Sequence, residues 1–151
     1  MRWPDEAACA ASATRLAAHP ALRDAFVELH GPLGAGKTTF VRHLLHALGI
    51  IGPIKSPTYT LMEPYQANPA HGGFEIAHCD FYRFDDAQEW EDAGFREVFA
   101  APGLKVVEWP EKAAELLPPC DLRIAIAPIE PGAVREVRLE AMTSRGLGLL
   151  P

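Results

Sequence analysis

The amino-acid sequence predicts a single-domain α/β fold, with a mostly parallel central sheet flanked by helices and antiparallel strands late at its edge. The chain has 151 residues, which suits one domain, and 48% of them are hydrophobic. Short apolar segments typical of strands alternate with segments of helical periodicity, and this order favours parallel strands. We assign the domain to residues 1–142 and predict a flexible C-terminal tail over 143–151.

The first half of the chain is predicted to fold as helix, strand and helix. Residues Asp5 to Ala18 combine alanine, leucine and charged residues, with acidic residues in the first turn, as helices prefer. The segment Phe26–Leu29 is typical of a strand and continues directly into glycine. From Lys37 to Leu48 apolar residues recur at helical spacing, and Gly49 closes the helix.

The second half adds further strands and one interrupted helix. In chain order we predict a loop entering a strand at Ser56–Met62, an exposed turn at Gln66–Gly73, a strand at Phe74–Cys79, a helix at Asp85–Phe99 interrupted at Gly94, a strand at Leu104–Val107, and edge strands at Leu122–Ala127 and Val134–Leu139. The last two segments alternate between apolar and polar residues, as half-exposed strands do.

Composition and charge exclude several classes of protein. The formal net charge of −6 argues against a large nucleic-acid footprint on this chain. No apolar run approaches the roughly 18 residues of a membrane span, and the acidic N-terminus lacks a secretion signal. Cys9, Cys79 and Cys120 show no metal-ligand spacing and indicate reduced thiols. We therefore predict a cytoplasmic protein that does not contact a membrane.

The segment between the first strand and the second helix matches a phosphate-binding pattern. Gly31-Pro32-Leu33-Gly34-Ala35-Gly36-Lys37-Thr38 fits G-x-x-x-x-G-K-[ST] at every defined position. Its glycines let backbone N–H groups approach phosphate oxygens, and the following helix adds its positive end. Lys37 is expected to bridge the β- and γ-phosphates, and the Thr38 hydroxyl to bind magnesium. We therefore predict a site for a nucleoside triphosphate, ATP with Mg²⁺ above all.

Two acidic residues follow predicted strands and are candidates for the metal side of this site. Asp80 follows the strand that ends at Cys79, and Glu108 follows the one that ends at Val107. Parallel strands would bring both acids to the sheet edge that carries the phosphate loop. Spacing alone does not divide their roles, and a solvated carboxylate at a strand end is the alternative for either one.

Four motifs in this order resemble the TsaE family, formerly YjeE. They are the phosphate loop, Ser56-Pro57-Thr58-Tyr59-Thr60, His78-Cys79-Asp80-Phe81-Tyr82-Arg83 and Glu108-Trp109-Pro110-Glu111. The resemblance spans almost the whole chain. It implies a compact P-loop NTPase fold with a Mg-ATP site. It also implies an ATPase of low basal activity that supports TsaB and TsaD, whose complex transfers threonylcarbamoyl to adenosine in tRNAs reading codons that begin with A.

The resemblance also implies roles for individual residues. Lys37 and Thr38 match the phosphate and magnesium contacts, and Asp80 matches the acid beside the metal. Glu108 matches the acid that polarises water or completes the metal shell. Thr58 matches the threonine of a switch-like loop, and Trp109 an aromatic beside the nucleotide; an ordinary turn residue and a core residue are the alternatives.

The predicted site is therefore defined by three sets of residues. The nucleotide-binding set is Gly31, Pro32, Leu33, Gly34, Ala35, Gly36, Lys37, Thr38, Thr39, Thr58 and Trp109. The metal set is Thr38, Asp80 and Glu108, and the catalytic set is Lys37, Asp80 and Glu108.

Departures from the family pattern are few. Pro32 stands where the family usually has an acidic residue, and it removes one backbone N–H donor. Cys9 and Ala13 fall near the positions of a threonine and a glycine that help to seat the base, so no base contact is assigned.

A small-molecule kinase built on the same loop is the alternative function. Such enzymes usually add a lid with clustered arginines, and no such cluster follows Glu108 in this sequence. A GTPase is disfavoured because no Asn-Lys-x-Asp segment is present. We expect a monomer that docks on protein partners and meets tRNA only indirectly, in keeping with its acidic charge.

Overall fold

Seven strands and five helices make up the computed structural model, which describes residues 1–151. The strands are β1 (Arg2–Trp3), β2 (Phe26–His30), β3 (Met62–Gln66), β4 (Glu75–Asp80), β5 (Leu104–Glu108), β6 (Leu122–Pro128) and β7 (Arg135–Ala141). The helices are α1 (Glu6–Ala17), α2 (Lys37–Ala47), α3 (Ala87–Asp92), α4 (Phe95–Ala100) and α5 (Ser144–Leu147). No helix combines the length and apolar content that crossing a membrane requires.

All seven strands belong to one sheet in the order β1-β7-β6-β2-β5-β4-β3. The central strands are parallel: β2 pairs with both β5 and β6, and β5 pairs with β4. The pairs β3–β4, β6–β7 and β1–β7 are antiparallel. The predicted fold class is confirmed, and the carboxyl ends of the parallel strands meet at one edge of the sheet.

Helices on both faces of the sheet bury two apolar clusters. On one face, α1 and α2 cover a cluster of 24 buried residues, where the Phe40 ring stacks on Trp3 with centroids 5.5 Å apart. On the other face, α3 and α4 cover a smaller aromatic cluster that includes Phe81, Trp90 and Phe95. The predicted helix over Asp85–Phe99 is thus two short helices, which are separated at the predicted break.

The strands differ from the predictions in two places. We predicted β6 as an edge strand, but it lies inside the sheet, between β2 and β7. Its buried Leu122, Ile124 and Ile126 join the cluster beneath α1 and α2, so this strand belongs to the core. The edge is formed by β1, a two-residue strand that local sequence did not reveal, because its pairing partner lies at the far end of the chain.

The C-terminal segment is packed, in contrast to the predicted flexible tail over 143–151. The Thr143 hydroxyl accepts a hydrogen bond from the Gly146 amide at 3.1 Å and caps α5. After the helix, Leu149 is 2% exposed and belongs to the larger apolar cluster. Burial of this leucine holds the segment against the domain.

Candidate nucleotide-binding site

The loop Gly31–Thr38 joins β2 to α2 at the carboxyl edge of the parallel strands. At Gly31 the backbone has φ +150°, and a Cβ atom there would lie 2.4 Å from the carbonyl oxygen of Ile126 on β6. At Gly36 the backbone has φ +106° in the left-handed region, from which the chain turns into the first residue of α2. The two glycines are therefore required by the path of the loop.

Several backbone amides of this loop have no partner within the protein. The N–H of Ala35 donates to the Pro32 carbonyl at 3.0 Å, whereas the N–H groups of Gly34 and Gly36 donate to no acceptor. The first amides of any α-helix likewise lack intrahelical acceptors, and those of α2 follow directly. This arrangement provides N–H donors and the positive end of a helix dipole, which together favour an anion.

Arg135 on β7 braces the outer side of the loop. Its Nε donates to the Ala35 carbonyl at 2.9 Å, and Nη2 lies 3.5 Å from the Gly34 carbonyl. The guanidinium thereby binds the Ala35 carbonyl, and the N–H of that same peptide, on Gly36, is unpaired. Arg135 was not among the predicted site residues, because the contact spans 100 residues and no local motif marks it.

The side chain of Lys37 is buried, with 5% of the residue exposed. Its ammonium donates to the carbonyl oxygens of Gly31 and Pro32, and it lies 3.7 Å from the centre of the Trp109 ring. Burial lowers the pKa of Lys37, and the nearby carboxylates of Glu108, Glu111 and Asp80 oppose this effect. The amine is thus held in place at the mouth of the loop by two carbonyls and an aromatic face.

Trp109 follows β5 and has a left-handed backbone with φ +56°. A bulky residue rarely adopts this conformation, which costs of order 1–3 kcal/mol and tends to occur at functional sites. The turn directs the indole beside Lys37, where it also packs against Tyr82 with ring centroids 5.0 Å apart. Trp109 is half-buried at the site and is therefore not simply a core residue.

Glu108 and Asp80 are paired residues on neighbouring parallel strands, so both carboxylates reach the sheet edge together. They are 2% and 3% exposed, respectively. The Thr38 hydroxyl donates to Oε1 of Glu108 at 2.7 Å, and Nε2 of His78 lies 2.6 Å from Oε2. The predicted pair of acids is thus brought beside Thr38, with Glu108 in direct contact with it.

Asp80 is held by a different set of donors. Its Oδ2 accepts hydrogen bonds from the hydroxyls of Ser56 and Thr58, the latter at 3.3 Å, and its Oδ1 accepts the Tyr82 amide at 2.9 Å. Thr58 therefore lies in the site, at the loop between α2 and β3. Ser56 was not predicted as a contact of this site, although it begins the motif that marked Thr58. Arg83, three residues after Asp80, packs against Tyr59 instead.

A cleft of about 660 Å³ opens between the loop and the two acids. Its lining consists of Leu33, Gly34, Ala35, Gly36, Lys37, Thr38, Thr39, Ser56, Thr58, Asp80, Tyr82, Glu108 and Trp109. Of the predicted residues, Gly31 and Pro32 do not line this cleft; they contact Lys37 through their carbonyls.

A second cleft of about 550 Å³ lies on the other side of Ala35 and Gly36. It reaches from Thr39 to the N-terminal segment, where Cys9 lines it, and to Arg135 on β7. Ala13 is fully buried and does not line it. The phosphate loop thus lies between two recesses, which share Ala35, Gly36 and Thr39 in their linings.

The oxygen atoms of this site suit a small divalent cation. Mg²⁺ prefers oxygen ligands and is usually bound through one or two carboxylates together with substrate phosphates. Thr38, Glu108 and Asp80 provide such oxygens, and no group of three or more His, Cys, Asp or Glu side chains could hold a metal alone. The residues present therefore fit magnesium that arrives with phosphate.

Comparison with known proteins points to one family. The model of the family described as "Threonylcarbamoyl adenosine biosynthesis protein TsaE" matches residues 3–137. A tRNA threonylcarbamoyladenosine biosynthesis protein TsaE from Haemophilus influenzae is 39% identical over 124 residues, which cover 82% of this chain and 75% of that protein. The protein of the same name from Bacillus subtilis is 37% identical over 130 residues, covering 83% and 77%.

A solved structure agrees with the sequence relatives. The crystal structure of Bacillus subtilis YdiB superposes with a TM-score of 0.77 and 29% sequence identity. The superposition covers 99% of this chain and 88% of that chain. The similarity thus includes the loop, both acids and the late strands.

Proposed function

The chain belongs to the TsaE family of tRNA threonylcarbamoyladenosine biosynthesis proteins, and on that basis we propose that it binds and hydrolyses Mg-ATP. The proposed hydrolysis supports a complex of TsaB and TsaD proteins that transfers threonylcarbamoyl to adenosine in tRNAs reading codons that begin with A. This activity would be cytoplasmic, with low turnover until the partner complex docks.

The observation that carries the proposal is the hydrogen bond of 2.7 Å between Thr38 and Glu108 at the end of the phosphate loop. A hydroxyl can bind a metal through a lone pair while its proton is donated to a carboxylate. Thr38 is therefore already oriented for a metal on the side of the loop where phosphate oxygens would lie. When bound, magnesium neutralises charge on the β- and γ-phosphate oxygens.

The loop residues bind the triphosphate in this proposal. The free amides of Gly34 and Gly36 and the N-terminal end of α2 donate to phosphate oxygens. Lys37 leaves the Gly31 and Pro32 carbonyls and donates to the β- and γ-phosphates, where its positive charge stabilises the transferring group.

The sequence suggested Asp80 beside the metal and Glu108 as the acid that orients water; the hydrogen-bond partners of the two acids favour the reverse assignment. Glu108 orients Thr38 and completes the ligand shell of the metal. Asp80, held by Ser56 and Thr58, accepts a hydrogen bond from the attacking water. The water oxygen bonds to the γ-phosphorus, the bond from that phosphorus to the β–γ bridging oxygen breaks, and ADP and phosphate leave. Loss of the γ-phosphate then releases Thr58 and its loop.

The nucleoside is proposed to occupy the second cleft. This recess adjoins Thr39, at the start of α2, so a nucleotide can pass from the phosphate site without crossing the sheet. The cleft is lined by Trp3 and Arg135, which provide an aromatic surface and a planar cation. Cys9, near the position where the family usually has a residue that helps to seat the base, also lines this cleft.

The overall charge supports a protein partner for this chain. At −6, the chain has little electrostatic attraction for tRNA phosphates, so the partner complex is proposed to make those contacts. In this arrangement tRNA meets the ATPase only indirectly, through the transferase.

The test is the release of ADP by the purified chain, alone and with the TsaB–TsaD complex of the same organism. We expect weak turnover that the complex increases, and we expect Lys37→Ala to abolish it. Turnover that requires a small-molecule acceptor and ignores the complex would instead identify a kinase. If Lys37→Ala retained both nucleotide affinity and turnover, the site assignment would be wrong.

A further inference from the structure

The carboxylate of Glu108 is fixed from two opposite sides. On one side, Thr38 of α2 donates to Oε1 of Glu108 at 2.7 Å. On the other side, His78 of the neighbouring strand β4 places its Nε2 2.6 Å from Oε2. Glu108 is 2% exposed, so water does not compete freely for either oxygen. The orientation of the carboxylate therefore depends on two side chains, of which only Thr38 belongs to the predicted site.

His78 has no other polar partner. The residue is fully buried, and its Nδ1 is the one buried side-chain nitrogen or oxygen atom in the chain without a hydrogen bond. A proton on Nδ1 would be an unsatisfied buried donor, which is more costly than an unpaired ring lone pair. The proton is therefore on Nε2, where His78 donates it to Glu108.

Packing alone does not explain a histidine at this position. His78 lies opposite the buried Val106 in the β4–β5 pair and opposite the exposed Glu63 in the β3–β4 pair. A leucine there would fill similar space and avoid the unpaired Nδ1, but it would leave Oε2 of the buried Glu108 without its donor. The bond to Glu108 is the only interaction that requires the imidazole.

We propose that His78 is a positioning residue, which holds the Glu108 carboxylate so that its other oxygen faces Thr38. The inference builds on the proposed ATPase function, but its geometric part concerns the ligand-free protein alone. With Oε2 bound by His78, rotation of the carboxylate is blocked and Oε1 stays directed at the metal side. Hydrogen-bond partners of metal-binding carboxylates orient those carboxylates, and loss of such a partner typically lowers activity or metal affinity by about 10- to 100-fold.

Two substitutions separate positioning from packing. His78→Leu keeps the volume and removes the donor. His78→Gln restores an N–H donor, because its amide nitrogen is the same number of bonds from the backbone as Nε2. We expect His78→Leu to lower the turnover measured with TsaB–TsaD by roughly 10- to 100-fold. We also expect it to raise the Mg²⁺ concentration needed for ATP binding. We expect His78→Gln to recover most of both.

Binding of ADP without magnesium and thermal unfolding serve as controls. ADP binding is expected to change little in His78→Leu, since it does not depend on the orientation of Glu108 toward the metal. The melting temperature of His78→Leu is expected to fall, because Oε2 of the buried Glu108 loses its donor, so turnover is compared at a temperature where both variants are folded. Equal turnover and equal Mg²⁺ dependence in wild type and His78→Leu would overturn the proposal. So would a loss in His78→Leu that His78→Gln does not recover in a folded protein.

Nitrogen NMR of the imidazole in the ligand-free protein decides the geometric part independently of activity. We expect His78 to be protonated at Nε2 with a downfield Nε2–H proton, and Glu108→Gln to shift that signal. A proton on Nδ1, or no response to Glu108→Gln, would refute the positioning role even if ATP is hydrolysed. If the signals behave as expected while wild type shows no turnover, the ATPase function fails and the positioning of Glu108 stands.

Discussion

The ammonium of Lys37 lies 3.7 Å from the centre of the Trp109 ring, so the residue expected to bind phosphate contacts an aromatic side chain in the ligand-free protein. A cation over an indole face interacts with the ring quadrupole by about 0.5–2 kcal/mol. Nucleotide must compete with this contact and with the Gly31 and Pro32 carbonyls. Phosphate binding therefore changes the surroundings of Trp109 directly.

We expect ATP or ADP to change the tryptophan fluorescence of the protein through Trp109, because binding draws Lys37 away from the indole. The measurement is an emission titration of wild type and of Trp109→Phe, which retains Trp3 and Trp90. The variant should lose most of the response. A full response in Trp109→Phe would instead assign the signal to Trp3 in the second cleft.

Replacing each of the two acids by its amide should impair magnesium binding and turnover to different degrees. We expect Glu108→Gln to raise the Mg²⁺ concentration needed for ATP binding, because Glu108 contacts Thr38, and to lower turnover roughly 100-fold or more. Asp80→Asn should lower turnover to a similar degree with a smaller effect on Mg²⁺. Mg²⁺ titrations of ATP binding for the two variants test this division. The reverse ranking would place Asp80 on the metal and Glu108 on the water.

Gly31→Ala should destabilise the protein far more than Gly34→Ala. At Gly31 a methyl group would overlap the Ile126 carbonyl, and the backbone conformation is strained for other residues, so a loss of roughly 2–5 kcal/mol is expected. At Gly34 nothing lies within 4 Å of the added carbon, and only the positive φ costs about 1–2 kcal/mol. Denaturant unfolding of the two variants measures both. Similar losses of unfolding free energy in the two variants would show that β6 shifts to accommodate the methyl group.

Glu28 should contribute to stability at neutral pH and lose that contribution in acid. Burial raises the pKa of Glu28, but the hydrogen bond from His30 at 2.9 Å and the nearby Arg123 outweigh it, so the pKa lies below 4.5. Because the pKa is lower in the folded protein, the unfolded chain takes up the proton at a higher pH than the folded protein does. The contribution to stability is therefore present above pH 4.5 and disappears as the pH falls through the pKa of the folded state. Unfolding free energies of wild type and Glu28→Gln should therefore converge below pH 4.5. A constant difference down to pH 3 would contradict this.

The three thiols should react slowly in the folded protein. Burial raises the pKa of Cys79 to about 12 and those of Cys9 and Cys120 to about 11, so little thiolate exists at pH 8. We expect a thiol reagent to label all three only after unfolding. Any residual reaction should come from Cys9, which lines the second cleft, and nucleotide should slow it. Cys9→Ser provides the control, and rapid labelling of that variant would refute the expectation.

Local patterns were sufficient for most of the architecture. The strand predicted at Phe26–Leu29, which extends to His30, the glycine-rich loop and the helix that follows were predicted because each has its own periodicity or motif. The strand β3 contains Pro64, which is tolerated because β3 is at the edge of the sheet and one of its sides is free. In contrast, β1 consists of two residues whose only strand partner is β7, and no local signal predicts such a pairing.

In the site, too, residues that belong to a local motif were predicted, whereas contacts between distant parts of the chain were not. Asp80 and Glu108 were found because each ends an apolar strand, and their adjacency followed from the carboxyl edge of a parallel sheet. The partner of His78 depended on strand register: His78 lies in the same strand as Asp80, but its imidazole bonds Glu108 on the next strand. Ser56 and Arg135 likewise act across the fold, so their contacts were visible only in three dimensions.

The phosphate loop is secured by strands that are translated long after it. Ile126 on β6 lies against Gly31, and Arg135 on β7 binds a carbonyl 100 residues earlier in the chain. During synthesis, α1, β2 and α2 leave the ribosome well before either support exists. A nascent or truncated chain that stops before β6 therefore carries an intact phosphate-loop sequence without a formed phosphate site. Premature termination before Ile126 would therefore yield a chain that lacks both supports of its nucleotide-binding loop.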